Sequence, residues 1–338
     1  MKKYNILVVK ESRAGEGRVS LLPNQVTELV KVGHSVFIEA GAGDGVSVED
    51  GAYVEAGAII RKINIGKDVK VLFKDINLIV RVKRANKERE IQELSQIEKD
   101  TIMIGALDPK EPNSDHIKRY KDHDIICYSI DYLNVSETST LNILAAMSKI
   151  TGSLALQDAI NKFSGTPAKA VIIGYGSAGK SALNEAISQN LDTTVFCTQN
   201  THKKVIQASG ANAIIIDKEA SIEKTQQKVL EEVINADIII TAARSANKRS
   251  PLMIPIKTQK KMMPGSIIVD LALSDGGNVE GAKHDETLTT ENGIIIMNVS
   301  GYPKIVPNEA SIKWSQASKA FIDALSSGGV LVESARLS

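Results

Sequence analysis

Residues 171–180 read Val171-Ile172-Ile173-Gly174-Tyr175-Gly176-Ser177-Ala178-Gly179-Lys180, a G-x-G-x-x-G spacing that follows an apolar run and opens a helical pattern. Each glycine has its own task in such a turn: Gly174 permits the tight bend, Gly176 lets the backbone approach a diphosphate, and Gly179 allows helix to pack closely on strand. The N–H groups that follow, at Ser177 and Ala178, lie at the positive end of the helix, so the segment predicts a dinucleotide site; the alternative is a structural glycine turn. The next strand would end in Asp or Glu if it held the 2′-hydroxyl of an NAD ribose. Here it runs Val195-Phe196-Cys197 into Thr198, Gln199, Asn200, Thr201, His202, Lys203 and Lys204, with no carboxylate at the strand end. Polar residues followed by lysines suit a 2′-phosphate, so Thr198, Gln199, Asn200 and Lys203 point to NADP(H) more than to NAD(H). The competing reading is that the lysines only open a solvated helix.

The elements that must position this turn are legible in the aliphatic runs. Buried strands are expected at Ile6–Val9, Val36–Ala40, Leu78–Val82, Thr101–Leu107 and Ile125–Ile130, and again at Ala170–Gly174, Thr193–Thr198, Ala213–Asp217, Asp237–Thr241, Ser266–Asp270 and Ile294–Asn298. These runs are rich in Ile and Val and do not alternate with polar residues, as strands covered on both faces should read. Helical stretches such as Pro23–Val32 and Ile222–Val233 separate them. The fold class is therefore α/β, with two Rossmann-like, doubly wound parallel-sheet domains. Thr138–Phe163 carries Ile143, Met147, Ile150 and Leu154 at helical spacing and is long enough to cross from one domain to the other. A further helix, Ile312–Leu325, could return to the first domain. The expected division is 1–140 plus 306–338 for an N-terminal substrate-type domain and 141–305 for the dinucleotide-binding domain.

Composition narrows the function classes. The chain has 338 residues, with 41 Lys+Arg against 40 Asp+Glu, which gives no footprint for nucleic acid or an anionic membrane surface. Apolar residues make up 43%, too many for a disordered chain. Two cysteines, Cys127 and Cys197, support neither a disulfide framework nor a multi-cysteine zinc site. No apolar stretch approaches the length of a membrane span, and the N-terminal run is too short for a signal peptide. The expectation is a cytoplasmic protein without membrane insertion, without a metal site, and associating as a homodimer or higher homo-oligomer.

Several further segments carry a family resemblance over nearly the whole chain. Lys10-Glu11 and Glu16-Gly17-Arg18-Val19-Ser20-Leu21-Leu22-Pro23, Gly33-His34, Glu39-Ala40-Gly41-Ala42-Gly43 and Glu55-Ala56-Gly57-Ala58 resemble the opening of the alanine dehydrogenase and pyridine-nucleotide transhydrogenase alpha-subunit family. Pro264–Ala272 with Gly276-Gly277-Asn278 is similar to it again, and Thr289-Thr290-Glu291-Asn292-Gly293 resembles the transhydrogenase branch. The resemblance implies two Rossmann-like domains with an active cleft between them. It also implies that an arginine, here Arg18, and a lysine, here Lys83 in Arg81-Val82-Lys83-Arg84-Ala85, grip a substrate carboxylate and carbonyl. Two positions depart from the alanine dehydrogenase pattern. Its catalytic histidine falls at Asp108, and its later aspartate falls at Ser274, beside Asp275. The Arg, Gln and Asp loop of transhydrogenases is also missing from Glu137–Asn142. The first two departures argue against alanine as the substrate, and the missing loop argues against a transhydrogenase.

The residues support part of this on their own. Arg18 in a glycine-rich turn can present a planar fork to a carboxylate, against the alternative of a surface salt bridge with Glu11 or Glu16. Lys83 ends a hydrophobic strand, where open α/β sheets place ligands, against the alternative of a solvated basic patch with Arg81, Arg84 and Lys87. Proton-donor candidates are Lys83, Asp108, Asp275 and Tyr302. His116 and His123 are expected at the surface, and His34 in a structural role. The expected function is an NAD(P)H-dependent oxidoreductase that moves a hydride between nicotinamide and the alpha carbon of an amino acid, imine or 2-oxo acid. The alternative is a transhydrogenase alpha-like nucleotide-binding subunit acting with a partner.

Overall fold

A computed structural model describes residues 1–62, 70–109, 114–245 and 249–337. The chain divides into two compact units, Met1–Met147 with Pro303–Ser338, and Ser148–Tyr302.

The first unit holds β1 (Asn5–Val8), β2 (Ser35–Glu39), β3 (Ile59–Arg61), β4 (Leu78–Lys83), β5 (Ile102–Ala106) and β6 (Ile126–Ser129) in one sheet of order β3-β2-β1-β4-β5-β6, with every pairing parallel. Ile6, Val8, Leu78, Val80 and Ile104 pack on one face with Trp314 and Phe321 of the C-terminal helix Pro307–Ser326. Leu7, Ile79 and Met103 pack on the other with Leu72, Phe73 and Leu94. Burial on both faces explains the unbroken aliphatic runs. The second unit holds β7 (Lys169–Ile173), β8 (Asp192–Cys197), β9 (Asn212–Ile215), β10 (Ile238–Thr241), β11 (Ile267–Asp270), β12 (Thr287–Thr289) and β13 (Ile295–Met297), in the order β12-β13-β11-β10-β7-β8-β9. Only β12 is antiparallel among these pairings.

Both sheets have the doubly wound strand order, which turns back on itself between β1 and β4 in the first unit and between β7 and β10 in the second. Ligands of open α/β sheets sit outside the carboxyl ends of the strands at that crevice. The eleven expected strands are present within a residue or two at each end. The two that composition did not reveal, β3 and β12, are three-residue edge strands, too short to show as apolar runs. The long helix runs Ile143–Lys162, starting five residues later than expected, because the Asn142 side chain accepts the Ala145 N–H at 2.9 Å and caps it. The C-terminal helix starts five residues earlier than expected, with Pro307 in its first turn.

Candidate active site

In the second unit the glycine turn is built as its spacing requires. Gly174 follows β7 with φ +107°, and a Cβ there would lie 2.8 Å from the Ala242 carbonyl just past β10. A side chain at Gly179 would run into the Gly174 carbonyl oxygen. A Cβ at Gly176, by contrast, would meet no atom of the described residues within 4 Å. Gly176 is also the N-cap of the helix Ser177–Ser188 and brings no side chain of its own to that end. The turn therefore leaves open space in front of the N–H groups of a helix N-terminus, a cradle that suits a diphosphate.

The β8 end gives the other half of this site. Thr198, Gln199 and Asn200 are exposed, and Gln199 precedes the helix Asn200–Ala208. Lys203 is half-buried and its charge reaches the Cys197 thiol, which burial pushes up while a backbone hydrogen bond at Gln199 and the Lys203 charge pull it down. His202 lies edge-on to Tyr175, with ring centroids 5.2 Å apart, and Lys180 lies over the same tyrosine at 5.7 Å.

After β11, Asp270 is wholly buried and spent on structure. It accepts from Ala272 N at 2.9 Å, Asn278 N at 2.8 Å, Val279 N at 3.1 Å and the Thr241 hydroxyl at 3.2 Å. Burial pushes its carboxyl up, and those donors pull it down. Asp275 lies five residues on, about half exposed, with Arg244 Nε 3.0 Å from its carboxylate. Arg244, absent from the sequence reading, follows directly on the Ala242–Ala243 segment that abuts Gly174. Tyr302 is buried in the second unit's core, and its hydroxyl donates to Asp158 at 3.0 Å.

In the first unit the carboxyl edge of the sheet collects charge. Lys83 Nζ lies 2.8 Å from Asp108 Oδ1, and Arg13 Nη1 lies 3.8 Å from Asp108 Oδ2. Asp108 holds φ +48°, a costly conformation for a non-glycine residue, in the turn after β5. Asp131, past the end of β6, accepts from the Ser129 hydroxyl at 2.6 Å, and the same hydroxyl accepts from Leu107 N at 2.9 Å. Burial pushes the Asp131 carboxyl up; the Ser129 bond and the Lys83 charge pull it down, and Asp108 pushes it up. Asp131, Ser129 and Arg13 were not found from sequence, and Glu11 only as part of the family resemblance and as a partner for Arg18, because a single polar residue at a strand end carries no spacing signal.

Arg18 is also at this end of β1, but its fork is engaged. Nε donates to Glu16 Oε1 at 2.6 Å and Nη2 to Glu16 Oε2 at 2.5 Å, with the arginine 5% exposed. Nη1 faces Met147 Sδ at 3.5 Å. This is the salt bridge with Glu16 that sequence offered as an alternative, buried instead of on the surface. Of the basic patch expected around Lys83, Lys87 is exposed but Arg81 and Arg84 are not solvated. Arg81 is buried and donates to both oxygens of Glu93 at 3.0 and 2.9 Å, and Arg84 pairs with Glu90 at 3.2 Å. His116 is likewise buried, against the expectation for its polar stretch: Nε2 lies 2.7 Å from the Leu107 carbonyl and Nδ1 2.5 Å from Ser114 Oγ. It braces the backbone one residue before Asp108. His34 is structural as expected, accepting the Tyr4 N–H at 3.1 Å and stacking on that ring. Among the described residues, no group of three or more His, Cys, Asp or Glu could hold a metal ion.

Glu11 lies at the centre of this edge. Its carboxylate accepts from Val82 N at 2.6 Å and Lys83 N at 3.1 Å. Burial pushes its carboxyl up to about 7, against the opposing pull of Arg81 and the two N–H groups, and nearby Glu16 adds to the rise. A raised folded-state value favours the protonated form. The stability this gives is complete below the ordinary glutamate range and is lost as pH rises through about 7. Measured by denaturant unfolding, wild type should therefore lose ground to Glu11→Gln between about pH 5 and about pH 8. A difference that stays flat over that range would contradict the assignment.

The pattern describing the alanine dehydrogenase/PNT N-terminal domain matches residues 7–151, and that of the C-terminal domain matches residues 146–337. The chain belongs to the alanine dehydrogenase/PNT family. This is a family of NAD(P)-dependent oxidoreductases. Within it, the chain is 29% identical to NAD(P) transhydrogenase subunit alpha of Haemophilus influenzae over 90% of its own length, and it spans 62% of that relative. It is 28% identical to alanine dehydrogenase of Bacillus subtilis, over 90% of this chain and 81% of the relative. The solved transhydrogenase from Sinorhizobium meliloti shares the fold with a TM-score of 0.87 at 23% identity, covering 99% of this chain and 98% of that one. Among the described residues, no helix is long and apolar enough to cross a membrane.

Proposed function

We propose that the chain is a nicotinamide-nucleotide-dependent oxidoreductase acting on a small substrate in which a carboxylate adjoins a carbonyl, imine or amine, as in an amino acid or 2-oxo acid. The observation that carries this reading is the Lys83–Asp108 pair across the carboxyl ends of β4 and β5, beside the crevice between β1 and β4, 2.8 Å apart and only about a quarter exposed. An amine held beside a carboxylate at the edge where this fold binds ligands can grip a substrate oxygen and exchange a proton with it.

The glycine turn Gly174–Gly179 and the segment Thr198–Lys203 would hold the nucleotide, with Gly176 giving backbone access, Ser177 and Ala178 offering N–H groups, and Thr198, Gln199, Asn200 and Lys203 around the adenosine ribose. When bound, the nucleotide supplies or accepts a hydride at its nicotinamide, and the substrate's alpha carbon is the other end of that transfer. The chain's own part is to orient and to move protons. Lys83 binds the carbonyl or imine end and donates a proton, and Asp108 holds the amine in place. Asp131 is the next acid in reach of both. Arg18 contributes Nη1, since Glu16 occupies the rest of its fork. Asp275 acts with Arg244 on the nucleotide side. The substrate is one other than alanine, because the acid at 108 replaces the family's histidine.

The nucleotide is NADP(H) in preference to NAD(H), because β8 ends without a carboxylate and Lys203 is held at that end. Fluorescence titration should show NADPH binding more tightly than NADH, and Lys203→Ala should weaken NADPH more than NADH. NADH binding tenfold tighter than NADPH in wild type, about 1.4 kcal/mol in its favour, would overturn this preference. A cytoplasmic homo-oligomer completes the proposal. A second reading is favoured by the transhydrogenase alpha relatives: a nucleotide-binding subunit that passes hydride only with a partner.

A further inference from the structure

The two units use the same place in the strand order differently. Past β7 the crevice is left open at Gly176, whereas past β1 it is filled from within by a side chain. The β1–β4 ladder ends at the pair Val8–Val80, and Val80 is also the last regular partner of β5. Val80 pairs with Ile104 but Lys83 pairs with Ala106, so β4 carries one residue more than β5 over that step. Such a bulge frees backbone N–H groups and re-aims the side chains that follow it. Gly105 accommodates it, because a Cβ there would stand 2.8 Å from the Arg81 carbonyl oxygen and 2.9 Å from Arg81 Cγ. The N–H groups of Val82 and Lys83 are then taken up by the two oxygens of Glu11.

We propose that Glu11 is a positioning residue for Lys83: its carboxylate closes the bulge in β4 and fixes the backbone from which the Lys83 amine reaches Asp108. The inference rests on the reading of Lys83 as the substrate-gripping amine. Glu11 stands where β1 would have continued, and its side chain supplies two acceptors to β4 where the strand supplies none. The groups facing it are Arg81 of β4 and Glu16 of the following loop. Those facing Lys83 are Asp108, past β5, and Asp131, past β6, while Arg13 approaches the same Asp108. Among the described residues, Arg81 Nε and Nη1 have no hydrogen-bond partner, and the Arg81 charge acts on Glu11. Protonation turns one accepting oxygen of Glu11 into a hydroxyl, which holds an amide less strongly than a carboxylate does. Near neutral pH the grip on the Lys83 backbone therefore changes.

The test needs no substrate. The lysines of the intact chain are reductively methylated with carbon-13, the Lys83 resonance is assigned with Lys83→Arg, and its shift is followed against pH. The expected result is an inflection near pH 7, apart from the amine's own titration, that disappears in Glu11→Gln and persists in Asp131→Asn. The Lys203 resonance, in the other unit, should show no change between wild type and Glu11→Gln. The proposal is overturned if wild type lacks the inflection, if Glu11→Gln retains it, or if Asp131→Asn removes it. Should Glu11→Gln fail to fold, the wild-type and Asp131→Asn titrations decide by themselves. Loss of turnover in a Lys83 variant tests the role of Lys83 separately, so failure of one leaves the other standing.

Discussion

Gly176→Ala should fold as stably as wild type and bind NADPH and NADH about five- to a hundredfold more weakly. The first half follows from geometry: an added Cβ meets no atom of the described residues within 4 Å, and the backbone there, at φ −84°, suits any L residue. The second half follows from what the space is for. A methyl group placed where a phosphate must approach is an overpacking cost of about 1–3 kcal/mol, and each 1.4 kcal/mol is about tenfold in affinity. Gly179→Ala is the contrasting case. Its methyl would run into the Gly174 carbonyl, so stability should fall by about 1–3 kcal/mol along with binding. Thermal unfolding of the two variants beside a nucleotide titration separates the roles. A Gly176→Ala protein that binds both nucleotides as wild type does would remove the turn from the site.

This contrast also shows what the sequence makes legible. The glycine spacing announces a turn, and strand context makes it a phosphate turn, because backbone geometry leaves few other residues possible there. The parallel sheets are legible for the same reason, since strands buried on both faces admit only aliphatic side chains. Lys83 and Asp108 could be placed at strand ends through the family resemblance. Their pairing could not, since it depends on a bulge in β4 and a left-handed residue after β5, neither of which leaves a periodic mark. Glu11, Asp131 and Ser129 are single polar residues whose meaning comes from the neighbouring strand, across distances in sequence that no local pattern spans. The burial of Arg81, Arg84 and His116 runs against their composition-based expectation. In each case a specific acceptor, Glu93, Glu90 or the Leu107 carbonyl, offsets the cost of leaving water.

Lys83→Met should leave the fold nearly unchanged and cost about 10²- to 10⁴-fold in turnover, the range typical of losing a positioned proton donor. The stability half of this expectation comes from exposure. The Lys83 and Asp108 side chains retain 28% and 26% of their surface, so the ion pair is screened and worth no more than about 1 kcal/mol. Asp108 also keeps Arg13 as a neighbour at 3.8 Å and is not left alone. The activity half comes from position. Lys83 ends β4 beside the crevice, where its amine can give a proton to a bound substrate.

The most direct measurement of the central claim is nicotinamide oxidation by the purified chain alone, using NADPH with a panel of 2-oxo acids, each with and without a primary amine or ammonia. The account predicts that at least one carboxylate-bearing acceptor drives oxidation and that Lys83→Met slows it about 10²- to 10⁴-fold while nucleotide affinity stays unchanged. Oxidation driven by no acceptor except a second nicotinamide nucleotide, and unaffected by Lys83→Met, would contradict it.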